Sequence, residues 1–131
     1  MHVEAVIKTH PQLKGKPDAA LIRCIETCAD CAASCTVCAD ACLGEEMVAE
    51  LRRCIRLCLD CAEICRVTSE IVARRAGAGE PEVGALLRAC IEACRRSAEE
   101  CDKHAPHHAH CRISAEVCRT CAEACEKALS A

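Results

Sequence analysis

From about residue 18 onward, charged and small polar residues are interrupted by one recurring non-charged position at alternating steps of four and three. In the first such stretch that position is held by Cys24, Cys28, Cys31, Cys35, Cys38 and Cys42. These steps keep one face of an α-helix in view, and at about 100° per residue the thiols fall in a sector about 80° wide. The pattern returns as Cys54, Cys58, Cys61 and Cys65, then as Cys90, Cys94 and Cys101, and finally as Cys111, Cys118, Cys121 and Cys125. Glu, Asp, Arg and Lys fill the other faces, so each stretch predicts an amphipathic helix whose inward stripe is sulfur.

Breakers and caps set the bounds. Asp18, after Pro17, is an N-cap for a helix over about 18–43, with Gly44 at the C′ position. A second helix is expected over about 45–76, ending in Ala76-Gly77-Ala78-Gly79, with Arg74 and Arg75 at the negative end of its dipole. Pro81 opens a third over about 81–104, stopped by Pro106, and a fourth covers about 107–130. Residues 1–17 read as a separate segment, with a short helix over Val3 to His10 ended by Pro11, and with Gly15 and Pro17 as breaks. Four helices on short turns predict an all-α, antiparallel up-down-up-down four-helix bundle over residues 18–131, its core lined with cysteine.

One helical unit is used four times. R-C-I-E-T-C-A-D-C-A-A-S-C (23–35) matches R-C-I-R-L-C-L-D-C-A-E-I-C (53–65). The third copy, A-C-I-E-A-C-R-R-S-A-E-E-C (89–101), has Ser97 where the third Cys would stand. The fourth, S-A-E-V-C-R-T-C-A-E-A-C (114–125), has Ser114 in the first Cys position and Cys111 one step earlier.

Composition changes the meaning of these stripes. The 131 residues include 17 Cys and no Phe, Tyr or Trp, so the large apolar side chains that usually dominate a core are missing. Free Cys packs as a small hydrophobe, but that preference does not account for 17 in register. Disulfides fit poorly, because Cys at three or four residues on one helix have diverging Cβ vectors and an odd count leaves one over. A net charge of −3, with no basic block, argues against nucleic acid and anionic membranes as partners. No apolar run has the length of a signal peptide core or a membrane span, which places the protein in the cytoplasm. There thiols stay reduced unless a metal takes them.

Softness and charge choose the metal. Thiolates select Cu(I), Zn(II) and iron–sulfur clusters. Clusters need a ligand loop wrapped round them, and the chain has none. Tetrahedral Zn with four thiolates is doubly negative, and several such sites would bury several charges in a dry core. One monovalent copper per thiolate leaves the core neutral, which favours multiple Cu(I) ions, on the order of one per Cys. Without metal the thiols pack as small apolar groups, so the metal-free chain is expected to be helical.

The two ends of the bundle differ. One holds Met47, seven residues before Cys54, with His104 three after Cys101 and His107, His108 and His110 next to Cys111. Thioether and imidazole are neutral ligands that hold Cu(I) less firmly than thiolate and suit an entry point, so Met47, His104, His108 and His110 join the cysteines as candidate metal residues. At the other end the stripes run into Leu21, Val72, Leu87 and Leu129, an aliphatic closure. His2 and His10 read as surface residues, and Asp30 and Asp60, about 100° off the stripe, as solvated charges.

The C-x-x-x-C-x-x-C-x-x-x-C helices, four to a chain and without a signal peptide, resemble the cytosolic copper-storage proteins, a family of Cys-lined four-helix bundles that hold many Cu(I) ions. The resemblance covers Asp18 to the C-terminus. It implies a Cu(I) ligand role for the 17 matching Cys and a homotetramer of bundles. Ser97 and Ser114 depart from the pattern. Three other classes compete: a zinc or cadmium buffer, a copper chaperone with one exposed site, and a thiol redox enzyme. The last needs one activated Cys, and the near-equivalent repeats single none out, so no catalytic residue is expected. The copper donor and acceptor are not legible.

Overall fold

Asp18 starts the first long helix as its position suggests: Oδ1 accepts the backbone N–H of Ala20 at 2.8 Å and of Leu21 at 3.4 Å. The computed structural model describes residues 2–13, 17–74 and 81–130. Its elements are α1 (Val3–Lys8), α2 (Ala19–Leu43), a 3-10 turn (Val48–Leu51), α3 (Arg52–Arg74), α4 (Pro81–His104) and α5 (Ala109–Ser130). The expected breaks at Gly15 and at Ala76 to Gly79, and Arg75, lie outside the described residues.

Consecutive long helices pack side by side, α2 on α3, α3 on α4 and α4 on α5, and α5 closes the ring against α2. All four contacts are antiparallel. Cys24 meets Cys125 while Cys42 meets Cys111 across α2 and α5, and Cys54 meets Cys101 while Cys65 meets Cys90 across α3 and α4. Ser69 Oγ donates to the Ile25 carbonyl at 2.9 Å and ties α3 to α2 from within the core. On the outside, Arg119 makes two bonds to Asp102, at 3.0 and 2.9 Å, and Arg95 pairs with Glu126. These exposed pairs orient α4 and α5 more than they stabilise them.

Four expectations need correction. Gly44 stops α2 as expected, but as the C-cap and not at C′: its φ is −83° and its N–H bonds back to the carbonyls of Asp40 and Ala41. The second helix does not begin at Glu45. The reversal after α2 continues into the tighter 3-10 turn, and α-geometry starts only at Arg52. The seven-residue step from Cys54 back to Met47 assumed unbroken α-helix, so its phase fails: Leu51 takes the buried place and Met47 is 46% exposed. At the opposite end Val72 and Leu87 close the core as expected, joined by Ile22, Val83 and by Ile7 of α1. Leu129, however, is exposed and Ala128 is the buried residue, because the last turn of α5 presents position 128 to the core.

Candidate metal centre

All 17 cysteines are buried and none is in a disulfide. Because each stripe faces the bundle axis, the thiols form one column. From the closed end, Cys24 lies 3.6 Å from Cys125, and Cys28 lies 3.8 Å from Cys90 and 3.6 Å from both Cys121 and Cys125. Above them Cys65 meets Cys94 at 3.6 Å, Cys61 meets Cys94 at 3.8 Å, and Cys31 and Cys35 meet Cys118 at 3.8 and 3.5 Å. Nearer the histidines Cys58 and Cys54 each lie 3.7 Å from Cys101, and Cys42 is 4.0 Å from Cys111. Metal–thiolate bonds of about 2.3 Å, as for zinc, span gaps of this size.

Several groups converge closely enough to share an ion, with ligand atoms within 4.8 Å of one another: Cys28, Cys90, Cys121 and Cys125; Cys31, Cys65, Cys94 and Cys121; Cys31, Cys35, Cys61 and Cys118; and Cys38, Cys58 and Cys101. A further set mixes donors: Cys38, Cys42, Cys111 and His110. Cys121 and Cys31 link the three groups nearer the closed end and Cys38 links the two nearer the histidines, so within each set the sites run into one another. That continuity suits bridging thiolates.

The thiols titrate together. Burial pushes Cys42 up to about 12 and Cys111 upward as well. Hydrogen bonds from Cys101 and Cys54 bring Cys38 down to about 6, and those from Cys125 and Cys28 bring Cys24 down to about 5. A thiolate is therefore tolerated where neighbouring S–H groups donate to it, and the neighbours must keep their protons. Without metal the column holds few charges; with metal it must release protons.

The histidine end is built around two glutamates. Glu45, in the turn after α2, accepts from His108 Nδ1 at 2.7 Å and from His110 Nε2 at 2.9 Å, and the two rings stack with centroids 5.5 Å apart. With Nε2–H engaged, His110 turns Nδ1 toward Cys38 at 3.5 Å and Cys111 at 3.6 Å. Burial opposes its charge, but the bonds to Cys38 and Glu45 raise its pKa overall; the His110 bond in turn lowers that of Glu45. Glu100, buried on α4, accepts from His104 Nε2 at 2.9 Å and pairs with Arg53 and Lys103, each at 3.3 Å. Burial works against its ionisation, yet His104 and Lys103 hold its pKa below the usual value.

The structure thus brings His110 into the thiol column, places His104 and His108 at the same end against carboxylates, and leaves Met47 and His107 exposed in turns. His2, His10, Asp30 and Asp60 are on the surface. Sequence reasoning missed Glu45 and Glu100. Glu100 stands four residues before His104 on one helix, a spacing that signals contact. Glu45 is 65 residues from His110 and carried no such signal.

Comparison with known proteins agrees with this geometry. The sequence profile of a family described as copper storage protein matches residues 18–130. Among solved structures, the chain is similar to the copper storage protein Ccsp from Streptomyces lividans loaded with 10 copper equivalents, with 43% identity, a TM-score of 0.92 and 98% of each chain covered. A structure of copper loading to a cytosolic copper storage protein from Streptomyces lividans, with five coppers, is 46% identical with a TM-score of 0.82, covering 86% of this chain and 93% of that one. No curated protein matches in sequence.

Proposed function

The chain belongs to the copper storage protein family, and we propose that its 17 buried cysteines are the ligands that hold the stored metal as Cu(I). The single observation that supports this most is the series of buried, closely spaced thiol groups stacked along the bundle axis. A soft monovalent ion meets soft donors, and each arriving ion displaces a thiol proton, so filling the column adds no net charge to the dry interior. Several ions are stored per chain, on the order of one per Cys.

Copper enters at the histidine end. Glu45 orients His110 so that Nδ1 serves as a neutral ligand beside Cys38, Cys42 and Cys111. His104 and His108, each held by a carboxylate, and Met47, exposed in the turn, make weaker first contacts. Ligand exchange from imidazole and thioether to thiolate then runs downhill toward the closed end.

The likeness to a cytosolic relative supports a cytoplasmic location, and among the described residues no helix is long and apolar enough to cross a membrane. We read the role as storage and not catalysis, since no thiol stands apart from the others in an electropositive setting. A homotetramer is part of the proposal; an apolar flank of exposed Leu43 and Leu59 with half-buried Val48 and Ile55 between them supports self-association.

Copper bound per chain after anaerobic titration and desalting tests the assignment. A capacity approaching the number of thiols is expected. A handful of ions per chain, or a stronger hold on Zn(II) or Cd(II) than on Cu(I) in chelator competition, would overturn it in favour of a chaperone or a zinc or cadmium buffer.

A further inference from the structure

The two serines that interrupt the repeat stand at one level of the bundle. Ser114 Oγ lies 3.9 Å from Cys35 Sγ on one side of the axis, and Ser97 Oγ lies 3.8 Å from Cys58 Sγ on the other. Both serines are fully enclosed, 2% and 0% exposed. A hydroxyl is a hard donor that keeps its proton at neutral pH, so α4 and α5 offer Cu(I) no ligand at this level.

The thiol contacts divide at the same place. On the mouth side Cys58 and Cys54 touch Cys101, Cys42 touches Cys111, and Cys38 groups with Cys58 and Cys101. On the closed side Cys35 and Cys31 touch Cys118, and Cys31 and Cys61 continue to the remaining thiols. Among the described residues no thiol–thiol hydrogen-bond contact within 4.0 Å joins the six mouth-side cysteines to the other eleven. Among the described residues Cys35 and Cys58 are the pair that faces across the divide, beyond hydrogen-bonding distance of one another yet close enough that each influences the other's ionisation.

We propose that the column is two copper pools, an outer one on Cys38, Cys42, Cys54, Cys58, Cys101 and Cys111 and an inner one on the other eleven cysteines, joined by a single crossing from Cys58 to Cys35 between Ser97 and Ser114. The inference rests on the Cu(I) storage reading and deepens it. In the crossing the Cu–S bond to Cys35 forms as the bond to Cys58 breaks, and the Cys35 proton passes to the Cys58 sulfur. No electron moves and net charge is unchanged. Four helices supply thiols above and below the crossing, but two supply them at it, so transfer there lacks the third and fourth sulfur that bridge other steps. The outer pool therefore exchanges readily with the mouth, and the inner pool fills and empties slowly.

Stopped-flow loading of the full chain with Cu(I) in acetonitrile under anaerobic conditions, followed by thiolate-to-copper charge-transfer absorbance, tests this. Two phases are expected, the faster with the share of the amplitude belonging to the six outer cysteines. Cys35→Ser and Cys58→Ser should each slow the second phase about tenfold while lowering capacity by about one ion. Ser97→Cys with Ser114→Cys should speed it about threefold or more and raise capacity, whereas Ser97→Ala with Ser114→Ala should leave it unaltered. Full capacity reached in one phase, or a second phase slowed no more by Cys35→Ser and Cys58→Ser than by Cys54→Ser, overturns the crossing and leaves storage standing. A capacity of only a few ions defeats the storage reading itself.

Discussion

Glu45 Oε2 sits 2.9 Å from Nε2 of His110, and this one bond decides which nitrogen of the ring faces the thiols. Carboxylates behind ligating imidazoles are worth about 10- to 100-fold in metal affinity. Glu45→Gln should therefore weaken the outermost site about tenfold with total copper per chain unchanged, as read by competition with a graded series of Cu(I) chelators.

The same pair gives the metal-free protein a pH signature. His110 has a raised pKa, so its stabilising share is complete below its ordinary value of 6.5 and is lost as pH rises through the raised one. Glu45 has a lowered pKa, so its share is complete above 4.5 and is lost as pH falls through the lowered one. The difference in Tm between the wild type and Glu45→Gln should be largest at pH between 4.5 and 6.5 and should vanish in alkaline solution. A difference that persists at alkaline pH would show that Glu45 acts through packing.

Replacing Met47, His104 and His108 together, by Leu, Ala and Ala, should slow copper loading several-fold and leave final capacity almost intact, because none of the three belongs to the thiol column. Loading rates measured anaerobically at fixed copper donor concentration check this. Unaltered rates would remove the histidine end as the entrance.

The metal-free chain should show a full helical far-ultraviolet spectrum in reductant, since every buried side-chain nitrogen and oxygen among the described residues already has a partner without metal. Adding Cu(I) should then raise Tm by mass action, through its preference for the assembled column. A disordered metal-free spectrum would mean that copper folds the bundle.

Leu87, 2% exposed, is among the few large aliphatic residues at the closed end. Leu87→Ala should cost about 2–4 kcal/mol of metal-free stability by urea unfolding, with copper capacity unchanged.

The four helices and the inward direction of their thiols were legible because spacing alone dictates which side chains share a helix face. Asp18, Pro81 and His104 mark helix ends in the structure as they do in the sequence. Met47 is misplaced by carrying the stripe through the 3-10 turn, and Leu129 by taking a step of four from Cys125 where the regular helix of α5 buries the residue at a step of three, Ala128. Ser97 and Ser114 were visible as interruptions, but nothing along the chain says that residues on α4 and α5, running in opposite directions, fall at one level.

By itself the sequence determined the helices, the sulfur-lined axis and the class of ion that a neutral, soft, buried core accepts, since these follow from periodicity and donor chemistry. The tertiary structure alone decided the depth of each thiol, the pairing of Glu45 with His110 and the placing of Ser114 against Cys35 and Ser97 against Cys58. Those relations join residues far apart in the chain, and only the packed register of four antiparallel helices brings them to the same height.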